Sequence, residues 1–570
     1  MDKIINLLFP DLYKENDKIS SKSKRKLPDT VVKDLNLEQI AREIYPENHE
    51  YALEVLTNIC DDPEVINYRL DILTDFINIP ELETTILSNI DSIYKHERAV
   101  EAKIKVKGSF MDIATKVAGI ENYIGYINSF HAFYCTHGSK VKSQGILKLL
   151  TYCEEIYASK EFDTLKQQIA ELKRYLAEHI SSVVIGINFD EFMRPAEAVL
   201  LSVGNKPLRE KTLISRLFGQ YDEFERVKGI SPFHRLDPVL KYDGVDGTLF
   251  QDLKEISKQV LDHFSIALKS YYTLNTSFLL EIESQFRFYM GAARMIKYLR
   301  AHGLAMCRPE VARMEERIFE VKGMTDLSFA VKLMRDYWKV KLDKAIVTND
   351  VAMGENGRIF LLTGPNQGGK TTYTRAIGIC QVLMQAGLYI PGTSARISPV
   401  DWVFTHFPKE EVLGVQTSRL SEECKQFSEI FKKATCFSLI LMNESISSTS
   451  PSECLYIAEE IIKSIRYIGS RAVFATHLLD LVNKIEEIHK EVNGGSKIVS
   501  MVAGIKPVDK NEITDDGEEK VECTYKVVPN PPLRSSYAKE IVNKYGIGFN
   551  QIVESLKLRQ KTEKLQLGKV

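Results

Sequence analysis

The stretch Gly364-Pro-Asn-Gln-Gly-Gly-Lys370-Thr371 restricts the fold more than any other part of the chain. It has the form G-x-x-x-x-G-K-[ST]. Glycines at these positions let successive backbone N–H groups turn toward one point, because no Cβ stands in the way. Such a loop requires a strand before it and a helix after it. The run IFLLT precedes it at 359–363, and an amphipathic stretch, Thr371–Gln385, follows. The helix start adds partial positive charge at the same point. The expected ligand is ATP, with Lys370 reaching the β- and γ-phosphates and the Thr371 hydroxyl ligating Mg²⁺. Gly364, Pro365, Asn366, Gln367, Gly368, Gly369 and Thr372 complete the expected phosphate loop.

The surrounding pattern agrees with that loop. Short apolar runs (IFLLT, FSLILM, RAVFAT) alternate with the amphipathic stretches Thr371–Gln385 and Pro451–Ile468. This alternation predicts a mostly parallel sheet with crossover helices. The strand over Phe437–Met442 ends in Asn443-Glu444. P-loop ATPases place an acidic residue there, near the metal, and often a second that polarises water. Here Asn443 stands where aspartate is usual: it can bond a metal-bound water but supplies no charge. Glu444 remains as the candidate general base. The other reading is a plain loop start after a buried strand. RAVFAT ends at His477, which a strand end in such a sheet turns toward the ligand crevice. His477 is a candidate for sensing the γ-phosphate or orienting water; a purely structural histidine is the alternative. The acidic stretch Asp509–Lys520 reads as a loop between two late strands, MVAGIKPV and VECTYKVV.

Upstream of about 330 the periodicity is different. From Leu37 to about Ile180, apolar residues recur at three- and four-residue steps, as in Tyr51, Val55 and Ile59, and glycine and proline are sparse. At Val183 the period changes. SVVIGINFDEF and AVLLSVG read as two strands joined by a turn, followed by a polar stretch to Gly247. Helical spacing returns from Leu249 to about His302, and Arg317–Asp326 looks extended. A helical arm thus runs out, carries a small β-containing tip and runs back. Residues 16–36 are polar, with Lys22, Lys24, Arg25 and Lys26 close together. A solvated tail or loop is one reading, a phosphate-binding arm the other.

Composition excludes several classes. A chain of 570 residues exceeds one hydrophobic core, so two to four domains are expected. Hydrophobic residues at 44% and charged residues at 27% fit a globular protein, and a net charge of −2 gives no global basic footprint. Nine scattered cysteines without a C-x-x-C pair point to reduced, mostly buried thiols rather than a disulfide framework or zinc ribbon. No stretch of about 18 apolar residues offers a membrane span and no signal-peptide core opens the chain, so no membrane partner and a cytoplasmic location are expected.

Several segments together resemble one family. GPNQGGKTTYTRAIG, AGLYIPG, SPVDWVFTHF, QTSRLSEE, FSLILMNESISSTSP and VFATHLLDL resemble, in order and spacing over about 200 residues, the ATPase domain of the MutS family of DNA mismatch-repair and DNA-structure ATPases. YKVVPNPPLRSSYAKEIVNKYGI is similar to the family's C-terminal Ser-Tyr helix, DDPEVINYRLDILTDF to its core, and the helical arm to its lever. The resemblance implies a multidomain chain. A basic tail or loop at 1–36 leads into a mainly α core and lever over 37–330, with its tip near 183–250. An α/β P-loop ATPase domain follows over 331–555, and a charged tail over 556–570. It implies that Gly364, Asn366, Gly368, Gly369, Lys370 and Thr371 form the phosphate loop, that Asn443 and Glu444 are the metal-and-base pair, and that His477 is the switch histidine. Thr417 and Ser418 fall on the loop that approaches the other subunit's γ-phosphate in the family dimer. Ile346 falls where the family stacks an aromatic ring on adenine.

The resemblance is incomplete. No Phe-x-Glu segment stands where it would wedge a mispaired base, no mismatch-reading domain is evident ahead of the core, and no nuclease-like domain follows the ATPase region. Ser445-Ile446-Ser447-Ser448 replaces the family's glycine- and arginine-bearing turn. The expectation is a homodimeric, ATP-gated clamp on double-stranded or structured DNA, with slow hydrolysis and weak mismatch discrimination. The alternative is a nucleotide-switched module acting on RNA, a ribosome or a protein partner. Lys206, Arg209, Lys211, Arg216, Arg226, Lys228, Arg235 and Lys241 at the arm tip would decide between them by converging or dispersing.

Overall fold

The computed structural model describes residues 5–10, 25–101, 110–179, 182–189, 191–192, 195–204, 229–232, 278–337, 341–365, 367–408, 419–446, 449–494, 496–507, 521–530 and 546–557. The chain divides into two compact units, one of residues 1–11 and 71–290, the other of residues 12–70 and 291–570.

The first unit holds the helices Pro80–Glu101, Phe110–His137, Gln144–Tyr157 and Lys160–His179. Its aromatic core is fully buried at Phe76, Phe130, Phe286 and Tyr289, and the Phe76 and Tyr289 rings lie parallel at 6.2 Å. The two strands expected after Val183 are present as Ser182–Phe189 and Pro195–Gly204, paired antiparallel. A third strand, Gly229–Pro232, joins them. The eight basic residues of the arm tip lie outside the described residues.

The second unit is organised by a six-stranded sheet. Its strands are β1 (Ile359–Thr363), β2 (Val403–His406), β3 (Leu439–Asn443), β4 (Arg471–Ala475), β5 (Ile498–Pro507) and β6 (Val521–Pro529). They run in the order β2-β3-β4-β1-β5-β6. All neighbours are parallel except β5 and β6, which form an antiparallel edge. Every residue of β1, β3 and β4 is buried, as a sheet covered on both faces requires, and this explains their unbroken apolar runs. Helices α1 (Lys370–Gln385), α2 (Arg419–Lys433) and α3 (Pro451–Ile468) connect the strands. A separate four-stranded sheet pairs Glu310–Val311, Ser394–Ile397, Phe319–Met324 and Asn349–Met353.

Two boundaries differ from the sequence reading. Residues from Arg25 onward are not a solvated tail: Arg25–Lys26 pairs with Asn58–Ile59, and Asp29–Asp34 is helical. Leu27, Val31 and Leu35 are buried, with Leu35 seated on Gly378 of α1, where a Cβ would lie 2.6 Å from its methyl. Three apolar residues at four-residue spacing carry that burial, and the neighbouring lysines masked them in a charge-based reading. The stretch 37–330, grouped as one helical region, is also divided: residues 37–70 and 291–330 belong with the sheet-bearing unit. There the helix Leu37–Ile44 meets Gly291 so closely that a Cβ at Gly291 would stand 1.6 Å from the Ile44 carbonyl oxygen.

Candidate nucleotide site

The phosphate-loop segment leaves β1 at Thr363 and enters α1 at Lys370. Gly364 (φ 141°) and Gly369 (φ 90°) take backbone conformations that L side chains rarely adopt. A Cβ on Gly364 would meet Ala503 at 2.7 Å, and one on Gly368 would meet Pro365 at 2.9 Å. At Gly364 and Gly368 there is therefore room only for glycine, which lets the backbone turn as an anion nest needs. Gln367 also sits at positive φ, 64°.

Lys370 is buried, and its Nζ donates to the carbonyls of Gly364 (3.1 Å) and Pro365 (3.0 Å). Nζ also lies 3.2 Å from His477 Nε2 and 3.6 Å from Glu444 Oε1. Burial pulls the ammonium below its usual range, and the Glu444 carboxylate opposes that. His477 Nε2 stands 3.0 Å from Glu444 Oε1 as well. One ring nitrogen faces both a donor and an acceptor: protonated, it donates to Glu444; bare, it accepts from Lys370. The register explains the convergence. Asn443 at the end of β3 pairs with Ala475 at the end of β4, so Glu444 and His477 emerge side by side beyond the same sheet edge. The Glu444 N–H donates to the Ala475 carbonyl at 2.8 Å, which holds Glu444 at φ 46°, an uncommon value for a side-chain-bearing residue.

Thr371 Oγ1 donates to Asn443 Oδ1 at 3.1 Å, and Asn443 is buried. Among the described residues, no group of three or more His, Cys, Asp or Glu side chains is arranged to hold a metal by itself. A hydroxyl and an amide oxygen side by side, with one carboxylate nearby, still fit Mg²⁺, which keeps most of its waters and takes few protein ligands.

A cavity of about 460 Å³ opens beside Lys370, Thr371 and Thr372, and Gln367, Glu444 and Ile346 also line it. Ile346 is buried in this wall. Two further residues here were not singled out from sequence: Phe329 and Tyr525, both lining the cavity and both exposed. Tyr525 lies on β6 at φ 56°, its ring 3.6 Å from where a Cβ on Gly369 would be. The strand VECTYKVV is visible in the sequence, but its antiparallel return beside β5 is not, and only that return brings Tyr525 to the loop. Asn366, Thr417 and Ser418 lie outside the described residues.

Comparison with known proteins agrees with this geometry. MutS domain V matches residues 360–556, and the MutS2 N-terminal domain matches residues 61–302. The chain is a member of the MutS family. The DNA mismatch repair protein MutS of Aquifex pyrophilus is 36% identical over 152 residues, 26% of this chain and 17% of that protein. MutS of Caldanaerobacter subterraneus subsp. tengcongensis is 24% identical over 314 residues, covering 55% of this chain and 34% of the relative. DNA mismatch repair protein MutS 2 of Halobacterium salinarum is 30% identical over 154 residues, 27% of this chain and 18% of the relative. The chain thus matches between 17% and 34% of the length of these MutS relatives. No helix among the described residues is long and apolar enough to cross a membrane.

Proposed function

We propose that this MutS-family chain binds and slowly hydrolyses ATP-Mg²⁺, and that the nucleotide gates its grip on duplex or structured DNA as a homodimer. The observation that carries the reading is the convergence of Lys370, Thr371, Asn443, Glu444 and His477 at one sheet edge beside a cavity of about 460 Å³. Lys370 is already oriented by two loop carbonyls, so little rotamer freedom remains to be lost when it meets a phosphate oxygen. Glu444 is the group placed to take a proton from an attacking water. His477, bonded to Glu444, positions that carboxylate and couples it to Lys370. Thr371 and Asn443 would hold Mg²⁺, which when bound supplies positive charge to the phosphate oxygens. Without the aspartate charge, metal positioning is weaker and turnover slower. Ile346, Phe329 and Tyr525 give the cavity an apolar wall suited to a nucleobase.

The DNA partner is supported by the names of the relatives and by the match to both MutS regions. The test is affinity for homoduplex, mismatched duplex, four-way junction and structured RNA, each with and without ATP at one stated salt concentration. Nucleotide-dependent binding to DNA, with mismatch and homoduplex differing little, is the expected result. Nucleotide-dependent binding to the RNA alone would replace the DNA partner with a ribonucleoprotein one.

A further inference from the structure

A second cluster of reactive side chains lies in the first unit, apart from the nucleotide site. Helix Phe110–His137 carries His131 and Cys135 one turn apart, on one face. The neighbouring helix Gln144–Tyr157 carries Glu154 and Tyr157. The His131 ring lies flat on the Tyr157 ring, with centroids 3.6 Å apart and planes 6° from parallel. Its Nδ1 is 2.8 Å from Glu154 Oε1 and 3.0 Å from Oε2. Its Nε2 is 3.7 Å from Cys135 Sγ, and Cys135 is exposed.

Each contact fixes one part of a relay. A carboxylate only accepts, so Nδ1 must carry the proton that it donates to Glu154. The neutral ring then has its lone pair on Nε2, facing the thiol. Stacking on Tyr157 prevents the ring from turning away. Glu154 also stabilises the imidazolium formed when the ring takes the thiol proton. A nucleophile beside a base, with the base oriented by a third group, is the arrangement that activates thiols. Four other cysteines, Cys60, Cys153, Cys380 and Cys454, are buried, and Cys307 and Cys436 are partly buried. Cys424 is exposed too, on helix α2.

We infer that Cys135 is a reactive thiol, a site of reversible modification by small disulfides, with His131 as its base and Glu154 as the positioning residue. The Cys135 proton passes to His131 Nε2, and the thiolate attacks one sulfur of the disulfide. A new S–S bond forms as the old one breaks, and the departing thiolate takes the proton back from His131. Excess free thiol reverses the exchange.

The test is mapping by mass spectrometry of the full-length protein after timed exposure to oxidised glutathione at pH 7. Cys424 serves as the unassisted exposed thiol, and buried Cys153 reports loss of fold. Cys135 is expected to form the mixed disulfide about tenfold faster than Cys424, because a base, His131 Nε2, stands 3.7 Å from its sulfur. In His131→Gln and Glu154→Gln the Cys135 rate should fall toward that of Cys424, with Cys424 unchanged and Cys153 still protected. The fall should be larger for His131→Gln. Equal rates for Cys135 and Cys424 in the unaltered protein would overturn the proposal. So would an unchanged Cys135 rate in His131→Gln. If Cys153 becomes labelled in a variant, the comparison of Cys135 with Cys424 in the unaltered protein decides alone.

Discussion

The hydroxyl of Thr371 donates to Asn443 Oδ1 across 3.1 Å, joining the start of α1 to the end of β3. The amide keeps the shape of the aspartate usual at this position and its acceptor, but not its charge. Loss of metal-ion charge stabilisation is worth up to several kcal/mol, so the missing charge should slow turnover more than binding. Asn443→Asp is expected to hydrolyse ATP faster at limiting Mg²⁺. Steady-state turnover across a Mg²⁺ titration checks this. No acceleration at any Mg²⁺ concentration would mean that the rest of the site has adapted to asparagine.

Much of this site was legible in the sequence. The Gly364–Thr371 spacing fixed the loop, and the strand ends located Asn443, Glu444 and His477. Their mutual contacts depend on the β3–β4 register, which pairs Asn443 with Ala475, and register is not written in either strand alone. Tyr525 escaped notice for the same reason: it reaches the site only through an antiparallel return with a bulge near Ala503 and Ile505. The Arg25–Asn36 segment was misread because charge is local, whereas the burial of Leu27, Val31 and Leu35 depends on what they pack against.

Tyr525 should contribute to base binding and not to phosphate binding. Aromatic stacking on a base is worth about 1 kcal/mol or more, so Tyr525→Ala should weaken ATP roughly fivefold. Inorganic tripolyphosphate, which has no base, should bind both proteins alike. Competition titrations with the two ligands separate the contributions. Equal weakening of both would place Tyr525 in the support of the loop instead.

His489 gives a pH dependence of stability. It is held neutral: the Ile498 N–H donates to its Nε2 at 3.1 Å. Burial lowers its pKa, and Arg466 adds to that. A lowered folded-state pKa means that the unfolded chain binds the proton more readily. Stability should therefore be full above the ordinary histidine range, near pH 6.5, and fall as pH drops through it toward the folded pKa. Denaturant unfolding at pH 7.5 and 5.5 should show a larger acid loss in the natural protein than in His489→Gln. An identical loss in both would assign the acid sensitivity to other groups.

Gly291→Ala should be strongly destabilising, because the new methyl would stand 1.6 Å from the Ile44 carbonyl oxygen. The helices must separate, and overpacking of this kind costs about 1–3 kcal/mol or more. Chemical denaturation should show the loss, while Gly125→Ala, where a Cβ meets nothing within 4 Å, should be nearly neutral or slightly stabilising.

The central claim is that the loop around Lys370 binds a nucleotide polyphosphate. A ligand at ~100 times its Kd that binds only the folded chain stabilises it by roughly 2.7 kcal/mol. The most direct measurement is the melting temperature with and without saturating ATP-Mg²⁺, in the natural protein and in Lys370→Ala. A clear rise in the natural protein, lost for the most part in Lys370→Ala, is the expected result. A rise of equal size in both proteins, or none in the natural protein, would contradict the assignment.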